Sequence, residues 1–549
     1  MKKILNKSEK KIILLGNEAI VRGALESGVE FVSTYPGTPA SEIGDIFASL
    51  KIKNNFYFEY STNEKIALEA GMGASFSGLK TLVIMKNFGI NVCLDALGPF
   101  CYTGSKGAAV IVVADDPSCH SSAQWEENTR GISYLVYIPT LEPSDPQECK
   151  DFIKKAFEIS EKFKTPVMLR TTTRVAHQRA PVKLGKIVMG QTRGFFAKEP
   201  KKWVTMPPRV LEMKKELLEK IKKIKEFSER SPINQIDGGL TPATFAKSDL
   251  GIICSGISYL YIKEALKELN LNLPVLKLGF FYPLPEEKIK KFIKPFKKVL
   301  AVEELESYIE REIKCLAKNV NPKLEIHGKN FLPEVDELKP EIIISAITKI
   351  LNINYKLPAA RANNLQIPKR TPRLCPDCPY WFIFAAIKKA IDIKKVIFGG
   401  DIGCYMLAGL APINMQDYLF CMGSSIGIAH GIKKASNQKL ISFIGDATFF
   451  HSGIPSLINA IHNQSNPLII IMDNQTTAMT GHQPHPGIKN DNLPIIKIEN
   501  IVKSCGVKNL KILDPAKDSE EFIKTIKEFF KKKEVSVIIS RRACARLKS

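Results

Sequence analysis

Two neighbouring stretches decide the fold: LISFIGDATFFHSGIPSLINA at residues 440–460 and LIIIMDNQTTAMTGHQPHPG at residues 468–487. Each begins with a short apolar run, which predicts a buried strand of a parallel sheet, and the segment between the strands has the apolar spacing of one crossover helix. Asp446 and Asn474 come directly after the two strands. Because open α/β sheets bind ligands at the carboxyl ends of their strands, we expect these side chains to lie in a ligand site.

The polar groups at these strand ends suit magnesium. Mg²⁺ prefers oxygen ligands in octahedral geometry and usually takes few of them from the protein, the rest coming from phosphate and water. Asp446 offers a carboxylate, Asn474 a carboxamide oxygen and Thr476 a backbone carbonyl. Gly445 lets the backbone approach a ligand closely. The sequence predicts a magnesium–diphosphate site, and the alternative is an Asp and an Asn that only cap turns.

The same letters resemble the GDG…N motif of thiamine diphosphate enzymes over its full spacing. Ala447 replaces the third glycine and leaves both side-chain ligands in place. Thiamine chemistry also needs a carboxyl group in an apolar pocket, which shares a proton with the aminopyrimidine so that its imine deprotonates C2 of the thiazolium. Glu64, in STNEKIALEAGMGAS at residues 61–75, is the candidate acid. Glu69 is its rival, and an exposed glutamate serving the helix dipole is the alternative.

The composition excludes several classes of protein. The 549 residues are 44% hydrophobic and 25% charged, and no apolar run approaches the roughly 20 residues of a spanning helix, so we expect a cytoplasmic protein without membrane association. The formal net charge of +23 is interleaved with glutamate. It indicates a lysine bias or steering of an acidic partner, and nucleic-acid binding is not expected. The 12 cysteines are dispersed, and the single CxxC, Cys375 and Cys378, lacks the second pair of a zinc site.

Further stretches, together with the first two, resemble the thiamine-binding alpha subunit of indolepyruvate:ferredoxin oxidoreductase, within the 2-oxoacid:ferredoxin oxidoreductases. The resemblance covers nearly the whole chain. Its other motifs are YPGTPASEI (35–43), STNEKIALEAGMGAS (61–75), VVADDPSCHSS (112–122), EPSDPQE (142–148), RTTTRVAH (170–177), LGFFYPLP (278–285) and GDIGCYML (400–407). It implies that an aryl 2-oxo acid adds to the C2 carbanion and loses carbon dioxide, that the enamine is oxidised in single-electron steps, and that coenzyme A takes the acyl group.

Apolar runs that alternate with helical patterns predict an α/β protein with parallel sheets flanked by helices. The first strands are expected at 11–15, 31–34, 81–85, 108–114 and 167–171, all in one parallel sheet. The resemblance implies a multi-domain thiamine-diphosphate-binding fold with a transketolase C-terminal-like middle domain. The expected boundaries are a pyrimidine-binding domain at 1–180, a helical linker at 181–246, the middle domain at 247–353, a linker at 354–372 and a diphosphate-binding domain at 373–549.

The resemblance also implies roles for single residues. Thr38, in a Pro-Gly-Thr-Pro turn, would hydrogen-bond the substrate, with a plain turn residue as the alternative. Cys404 would face the thiazolium, or be a packed thiol. His482 is assigned to catalysis with Glu64 and Thr38, while His120, His451 and His485 are other histidines suited to binding a carboxylate or moving a proton. The expected cofactor contacts are Glu64, Gly403, Cys404, Gly445, Asp446, Ala447, Asn474 and Thr476.

Two features depart from the family. Members continue into cysteine repeats of the CxxCxxCxxxCP kind that ligate iron–sulfur clusters, and the 549 residues contain none. We therefore expect the cluster on a partner, a ferredoxin or ferredoxin-like protein, or on a segment beyond this sequence. The second departure is RLCPDCPYWFIF at residues 373–384, where the family reads CPGCPHR; Asp377 replaces Gly, and Tyr380 and Trp381 replace His and Arg. Substrate preference therefore stays open.

The resemblance further implies a smaller beta subunit and a dimer of alpha–beta pairs. Two other functions fit the same sequence. One is a non-oxidative 2-oxo acid decarboxylase that releases an aldehyde. The other is a catalytically inactive relative that serves as a scaffold.

Overall fold

The chain divides into two units, one built from residues 1–59 and 64–364 and the other from residues 60–63 and 365–549. The structure is a computed structural model that describes residues 2–6, 9–50, 56–191, 193–237, 249–355 and 371–547. In these ranges, no helix combines the length and the apolar character needed to cross a membrane.

Seven strands form the main sheet of the first unit. In order across the sheet they are Phe280–Tyr282 (β12), Thr140–Leu141 (β6), Val167–Thr172 (β7), Ala109–Asp115 (β5), Thr81–Lys86 (β4), Phe31–Thr34 (β2) and Tyr57–Tyr60 (β3). The ladders that join β6, β7, β5, β4 and β2 are parallel, and β12 is antiparallel to β6.

Helices cover both faces of this sheet. They are Gly16–Glu26 (α1), Ser41–Leu50 (α2), Glu64–Phe76 (α3), Asn87–Thr103 (α4), Arg130–Val136 (α5), Pro146–Phe163 (α6), Thr173–His177 (α7), Pro200–Trp203 (α8) and Arg209–Arg230 (α9). Alternate residues of β5 enter different cores: Val110 and Val112 belong to one hydrophobic cluster, Ile111 and Val113 to another. Both faces of β5 are therefore buried, which is why its sequence is an unbroken apolar run.

A second sheet in the same unit has the order Glu325–His327 (β14), Lys298–Val302 (β13), Leu250–Ser255 (β10), Val275–Leu278 (β11) and Gln235–Asp237 (β9), with β9 antiparallel. Its helices are Ser258–Glu268 (α10), Glu286–Ile293 (α11), Tyr308–Val320 (α12) and Pro340–Leu351 (α13). Only Gly279 separates β11 from β12, so the chain passes from this sheet directly into the edge of the main sheet. The segments expected as separate domains at 1–180 and 247–353 thus share a strand pairing.

The second unit is built on five parallel strands. In order they are Val396–Gly399 (β15), Lys439–Gly445 (β16), Leu468–Asp473 (β17), Ser536–Arg541 (β19) and Asn509–Leu513 (β18). The helices are Tyr380–Ala390 (α14), Ser424–Ala435 (α15), Asp446–Thr448 (α16), Ile454–His462 (α17), Ile498–Ser504 (α18) and Ser519–Phe529 (α19). A π-helical turn, Phe449–Gly453, joins α16 to α17, and such turns are frequent at functional sites.

One strand prediction is wrong. Lys11–Leu15 (β1) does not join the parallel sheet but pairs antiparallel with Arg179–Lys183 (β8) in a two-stranded sheet. Ile13 is 60% exposed there, because a two-stranded ribbon buries only one face. The segment expected as a helical linker at 181–246 contains α9, which buries one side through Met213, Leu217, Ile224 and Ser228.

Buried charges connect the two sheets of the first unit. Arg130 on α5 pairs with Glu142 at 2.6 Å and with Glu303, just after β13, at 3.2 Å. Arg170 on β7 contacts Glu142 at 3.0 Å, and Ser255 at the end of β10 donates a hydrogen bond to it at 2.7 Å. Burial alone would raise the pKa of Glu142, but the two guanidinium groups lower it to about 2. Glu142 is therefore a charged centre shared by both sheets.

Candidate active site

Asp446 and Asn474 lie side by side at the carboxyl edge of the five-stranded sheet. β16 and β17 pair in parallel, with Gly445 opposite Met472, so the residues that follow the two strands meet at the same edge. Asp446 is 3% exposed and Asn474 is 6% exposed. Burying a carboxylate and a carboxamide costs free energy unless both groups are hydrogen-bonded or bind a ligand.

The carboxylate of Asp446 is held by three donors. Its Oδ1 accepts a hydrogen bond from the amide of Ala447 at 2.8 Å, and its Oδ2 accepts one from the amide of Gln475 at 2.8 Å. The Nε2 atom of His485 lies 3.1 Å from the same Oδ2, and the His485 side chain is 6% exposed. The segment after β17 therefore folds back so that a histidine faces this carboxylate.

The surrounding oxygens suit a hard cation. Asn474 Oδ1 accepts a hydrogen bond from the amide of Thr476 at 3.2 Å, and the buried Thr476 Oγ1 has no hydrogen-bond partner among the described residues. Carboxylate, carboxamide and carbonyl oxygens are the donors that Mg²⁺ takes from proteins. Within the described ranges, no group of three or more His, Cys, Asp or Glu side chains could hold a metal ion, so the protein alone would supply few ligands.

A second acid lies next to Asp446. Burial raises the pKa of Asp473, and the negative charge of Asp446 raises it further. Arg541 opposes this effect through a contact of 2.6 Å with Asp473 and another of 2.7 Å with Glu499. The strand ends thus carry more negative charge than Arg541 alone balances, which favours a cation at this edge.

Tyr405 fixes the backbone in front of Asp446. Its hydroxyl accepts a hydrogen bond from the amide of Gly445 at 2.9 Å and donates one to the carbonyl of Ile402 at 3.1 Å. A Cβ atom at Gly445 would approach the Tyr405 ring to 3.1 Å. Gly403, with φ 159°, precedes the short 3-10 helix Cys404–Gly409 that carries this tyrosine. The sequence reasoning missed Tyr405, although its place in GDIGCYML was a signal for it.

The three histidines of the two deciding stretches are placed differently. His485 faces Asp446, as described above. His451 lies in the π-helical turn with its Nδ1 atom 2.5 Å from Ser452 Oγ. His482 is exposed, has a left-handed φ of 67°, and donates its amide to the carbonyl of Thr477 at 3.0 Å. Its catalytic role therefore stays a prediction, and the geometry draws attention to His485 instead.

Glu64 and Thr38 belong to the first unit. Glu64 begins α3 and is 7% exposed, whereas the rival Glu69 is 40% exposed and pairs with Lys65. The Glu64 side chain packs on Gly89 in the first turn of α4, where a Cβ atom would come within 2.4 Å of Glu64 Cγ. Thr38 lies just after β2, and its carbonyl accepts a hydrogen bond from Ser121 Oγ at 3.0 Å.

Two further cysteines lie near the CxxC pair. Burial, together with the neighbouring Cys404, Cys544 and Cys375, raises the pKa of Cys378 to about 11. The amide of Cys544 donates to the carbonyl of Asn474 at 2.9 Å, so this group of four thiols adjoins the candidate magnesium site. The sequence did not reveal this group of four thiols, because Cys404 and Cys544 lie far from the CxxC pair along the chain.

The loop of the CxxC pair explains one departure from the family. Asp377, which stands where the family has Gly, has a left-handed φ of 60°. Asp is among the few residues other than Gly that adopt this conformation readily. The amide of Cys378 donates to the carbonyl of Cys375 at 3.3 Å, and Trp381 Nε1 donates to the same carbonyl at 3.1 Å. The turn is therefore kept despite the substitutions.

Two family models match the chain, and both describe thiamine-binding domains. Residues 401–540 match the family described as thiamine pyrophosphate enzyme, C-terminal TPP binding domain. Residues 22–214 match the family described as pyruvate flavodoxin/ferredoxin oxidoreductase, thiamine diP-bdg. A solved 2-oxoglutarate:ferredoxin oxidoreductase from Magnetococcus marinus, with 2-oxoglutarate, coenzyme A and succinyl-CoA bound, is 17% identical with a TM-score of 0.50; the match covers 62% of this chain and 65% of that one, and it supports the fold alone. The chain is therefore a thiamine-diphosphate-dependent enzyme of the 2-oxoacid oxidoreductase class.

Full-length relatives are more specific. Indolepyruvate oxidoreductase subunit IorA of Methanothermobacter marburgensis is 42% identical over 545 residues, which cover 97% of this chain and 87% of that protein. The subunit IorA of Pyrococcus horikoshii is 43% identical over 569 residues, which cover 98% and 86%. The chain belongs to the family of indolepyruvate oxidoreductase subunit IorA. The predicted family and fold class are confirmed.

Proposed function

We propose that this chain is the alpha subunit of an enzyme that oxidatively decarboxylates an aryl 2-oxo acid such as indolepyruvate, with thiamine diphosphate and Mg²⁺ as cofactors. Coenzyme A takes the acyl group, and ferredoxin or a ferredoxin-like protein takes the electrons. A beta subunit completes the enzyme, as a dimer of alpha–beta pairs in the cytoplasm. The observation that carries the proposal is the buried pair Asp446 and Asn474 at adjoining parallel strand ends, in a chain whose full-length relatives are IorA subunits.

The chain's own residues divide the work. Asp446, Asn474 and the carbonyl of Thr476 hold the magnesium ion. When bound, the cofactor supplies a stabilised carbanion at C2 of its thiazolium ring. Glu64 exchanges a proton with the aminopyrimidine, for which its burial at the start of α3 suits it. Thr38 hydrogen-bonds the substrate. These roles rest on the family resemblance together with the burial of Asp446, Asn474, Thr476 and Glu64.

The metal site is tested by Asp446→Ala. We expect Mg²⁺-dependent binding of thiamine diphosphate, measured by calorimetry, to weaken by at least about 100-fold, because even residues that only support metal ligands contribute 10- to 100-fold. Asp392→Ala is the matched control, since Asp392 is a half-exposed aspartate of the same unit with one surface ion pair. Equal binding by the Asp446→Ala variant would show that the cofactor is held elsewhere.

The reaction is tested with anaerobic assays that contain 2-oxo acids, coenzyme A and a viologen dye. The proposal requires dye reduction and acyl-CoA formation with an aryl 2-oxo acid. Aldehyde release without dye reduction, even with the beta subunit added, would instead indicate a non-oxidative decarboxylase. Absence of any cofactor binding by the wild-type chain would indicate a scaffold.

Oxidation of the substrate also requires an electron carrier near the site, and we propose that the four-cysteine group binds one. Cys375, Cys378, Cys404 and Cys544 are close enough for their charges to interact, and four thiols are the number that an iron–sulfur cluster takes from a protein. In the described ranges they do not form a ligand group for one metal ion. A single metal ion would draw thiolates to within about 2.3 Å of one point, whereas a cluster spreads them over its corners. This proposal adds a cluster on this chain to the one expected on a partner protein.

The cluster is tested by Cys378→Ser. Anaerobically purified wild-type protein is expected to contain iron and acid-labile sulfide and to give an electron paramagnetic resonance signal after reduction, and the variant to lose both. Cys505→Ser is the matched control, because burial alone raises the pKa of Cys505, with no neighbouring thiol. Equal iron content in both variants and the wild type would exclude this group as the ligand set.

A further inference from the structure

Lys86 is the last residue of β4, at the carboxyl edge of the main sheet of the first unit. Its aliphatic stem packs under the turn that carries Thr38. A Cβ atom at Gly37 would lie 2.7 Å from Lys86 Cβ and 3.5 Å from its Cδ, so the glycine leaves the room that the stem occupies. Packing therefore fixes the direction in which the lysine leaves the strand.

The ammonium group of Lys86 carries a charge that no carboxylate neutralises directly. Its Nζ atom donates to the carbonyl of Ser121 at 2.8 Å, and no ion pair is found for it in the part of the chain that the structure describes. Asp116 attracts it from a distance. The Asp116 carboxylate is already engaged by the amide of Ser121 and by the hydroxyls of Ser122 and Thr173. An ammonium has three N–H donors. One is used by the carbonyl of Ser121, and the ring of Phe88 lies 5.2 Å from Nζ, so a further acceptor can still be bound.

Burial lowers the pKa of Lys86 to about 8. The side chain is half-buried, so water solvates its charge less than that of an exposed lysine. An anion in contact with Nζ would relieve this cost, because an opposite charge favours the ionised form. The next residue, Asn87, is 1% exposed, and neither atom of its carboxamide has a hydrogen-bond partner in the described ranges. In the described ranges, a buried carboxamide without a hydrogen-bond partner thus follows directly after a lysine whose ammonium donates one hydrogen bond.

Two residues with predicted roles flank this lysine. The Ser121 whose carbonyl binds Lys86 also donates its hydroxyl to the carbonyl of Thr38. On the other side, Glu64 packs on Gly89, three residues after Lys86. Lys86 is thus connected through Ser121 to the expected substrate-binding threonine, and the expected cofactor acid packs on α4 three residues further along the chain.

We propose that Lys86 binds the carboxylate of the 2-oxo acid substrate. The proposal rests on the proposed function and adds the group that selects acids over neutral aldehydes and ketones. One carboxylate oxygen accepts from Nζ in place of water, while Ser121 keeps the third donor and with it the orientation of the amine. The contact is a charge-assisted hydrogen bond in a half-buried place, where such bonds are strong.

Binding to the enzyme as isolated tests the proposal without turnover. The probes are an unreactive 3-arylpropanoate and its neutral amide, titrated calorimetrically. Lys86→Met is expected to weaken binding of the carboxylate probe by about 10- to 100-fold, the range of a charge-assisted hydrogen bond, and to leave binding of the amide unchanged. Lys86→Arg is expected to restore most of the carboxylate affinity. Equal loss for both probes would indicate a merely structural role and overturn the proposal.

Lys80→Met is the matched control, because Lys80 precedes the opposite end of β4 and has one partly exposed ion pair with Glu161. In turnover assays, Lys86→Met is expected to raise KM for the 2-oxo acid by a similar factor while C2 proton exchange of bound thiamine diphosphate stays at the wild-type rate. An unchanged KM in an active enzyme overturns the role of Lys86 alone. Failure of the wild type to turn over any 2-oxo acid overturns the proposed function instead.

Discussion

Replacing Gly89 by alanine tests the assignment of Glu64 as the acid that activates the cofactor. A Cβ atom at Gly89 would lie 2.4 Å from Glu64 Cγ and 3.0 Å from both Cδ and Oε1. Carbon atoms in contact are normally about 3.5–4.0 Å apart, so the carboxyl group has to move by roughly 1 Å or more. The obstructing atoms belong to a side chain and not to the backbone, so the fold can adapt.

The expected effects on stability and on activity differ in size. Overpacking of this kind costs about 1–3 kcal/mol, and the helical Gly-to-Ala change returns about 0.5–1 kcal/mol, so the protein stays folded. A misplacement of about 1 Å costs a catalytic group roughly 100-fold. We therefore expect C2 proton exchange of bound thiamine diphosphate, followed by quenched-flow deuterium exchange and NMR, to slow about 100-fold in Gly89→Ala.

The same helix provides the control. A Cβ atom at Gly98 of α4 would meet nothing within 4 Å, so Gly98→Ala is expected to exchange at the wild-type rate and to be slightly more stable. If Gly89→Ala is folded, binds the cofactor and exchanges within about threefold of wild type, Glu64 is not the activating acid, and the role passes to another carboxyl group.

Three further outcomes are expected. Arg130→Met leaves the buried Glu303 without its ion pair and leaves Glu142 with Arg170 alone. It should lower the free energy of unfolding in urea by about 3–5 kcal/mol, against less than about 1 kcal/mol for the exposed pair broken in Lys297→Met. Burial raises the pKa of Glu127 to about 7. The contribution of this group to the free energy of unfolding is therefore fully present below the usual pKa of a glutamate and is lost as the pH rises through 7. The free energy of unfolding of Glu127→Gln should thus exceed that of the wild type by up to about 3 kcal/mol at pH 8 and be nearly the same at pH 5. The same pH dependence of unfolding in both proteins would refute the shift. Tyr405→Phe removes the acceptor of the buried Gly445 amide and should cost about 1–3 kcal/mol in thermal unfolding; an unchanged Tm would mean that another acceptor replaces it.

The two strands that precede Asp446 and Asn474 could be predicted from the sequence alone. Their apolar runs are long, buried on both faces, and followed at once by polar residues, so local pattern and tertiary position agree. The run at Lys11–Leu15 has the same kind of letters, but a run of five residues does not reveal whether its partner is parallel or antiparallel. The pairing was decided by Arg179–Lys183, far away in the sequence.

Contacts between distant segments account for most of what the sequence did not reveal. The meeting of Cys404 and Cys544 with the CxxC pair depends on the order of strands in the second unit, and the position of Lys86 beside Ser121 depends on two loops of the first. Residue spacing predicts such groups only when they lie on one element. Glu64 was an exception, because it lies within one continuous motif, STNEKIALEAGMGAS at residues 61–75.

The passage of the chain through Gly279 has a consequence for how the first unit unfolds. β12 forms its backbone hydrogen bonds with β6 of the main sheet. Glu303, after β13 of the second sheet, forms an ion pair with Arg130 on α5 beside the main sheet. If one sheet unfolded while the other stayed folded, the remaining sheet would have an unpaired strand edge or a buried charge without its partner. Neither sheet then has a favourable half-folded state, so heating should produce one calorimetric transition for both sheets of this unit, with no intermediate in which one sheet outlasts the other.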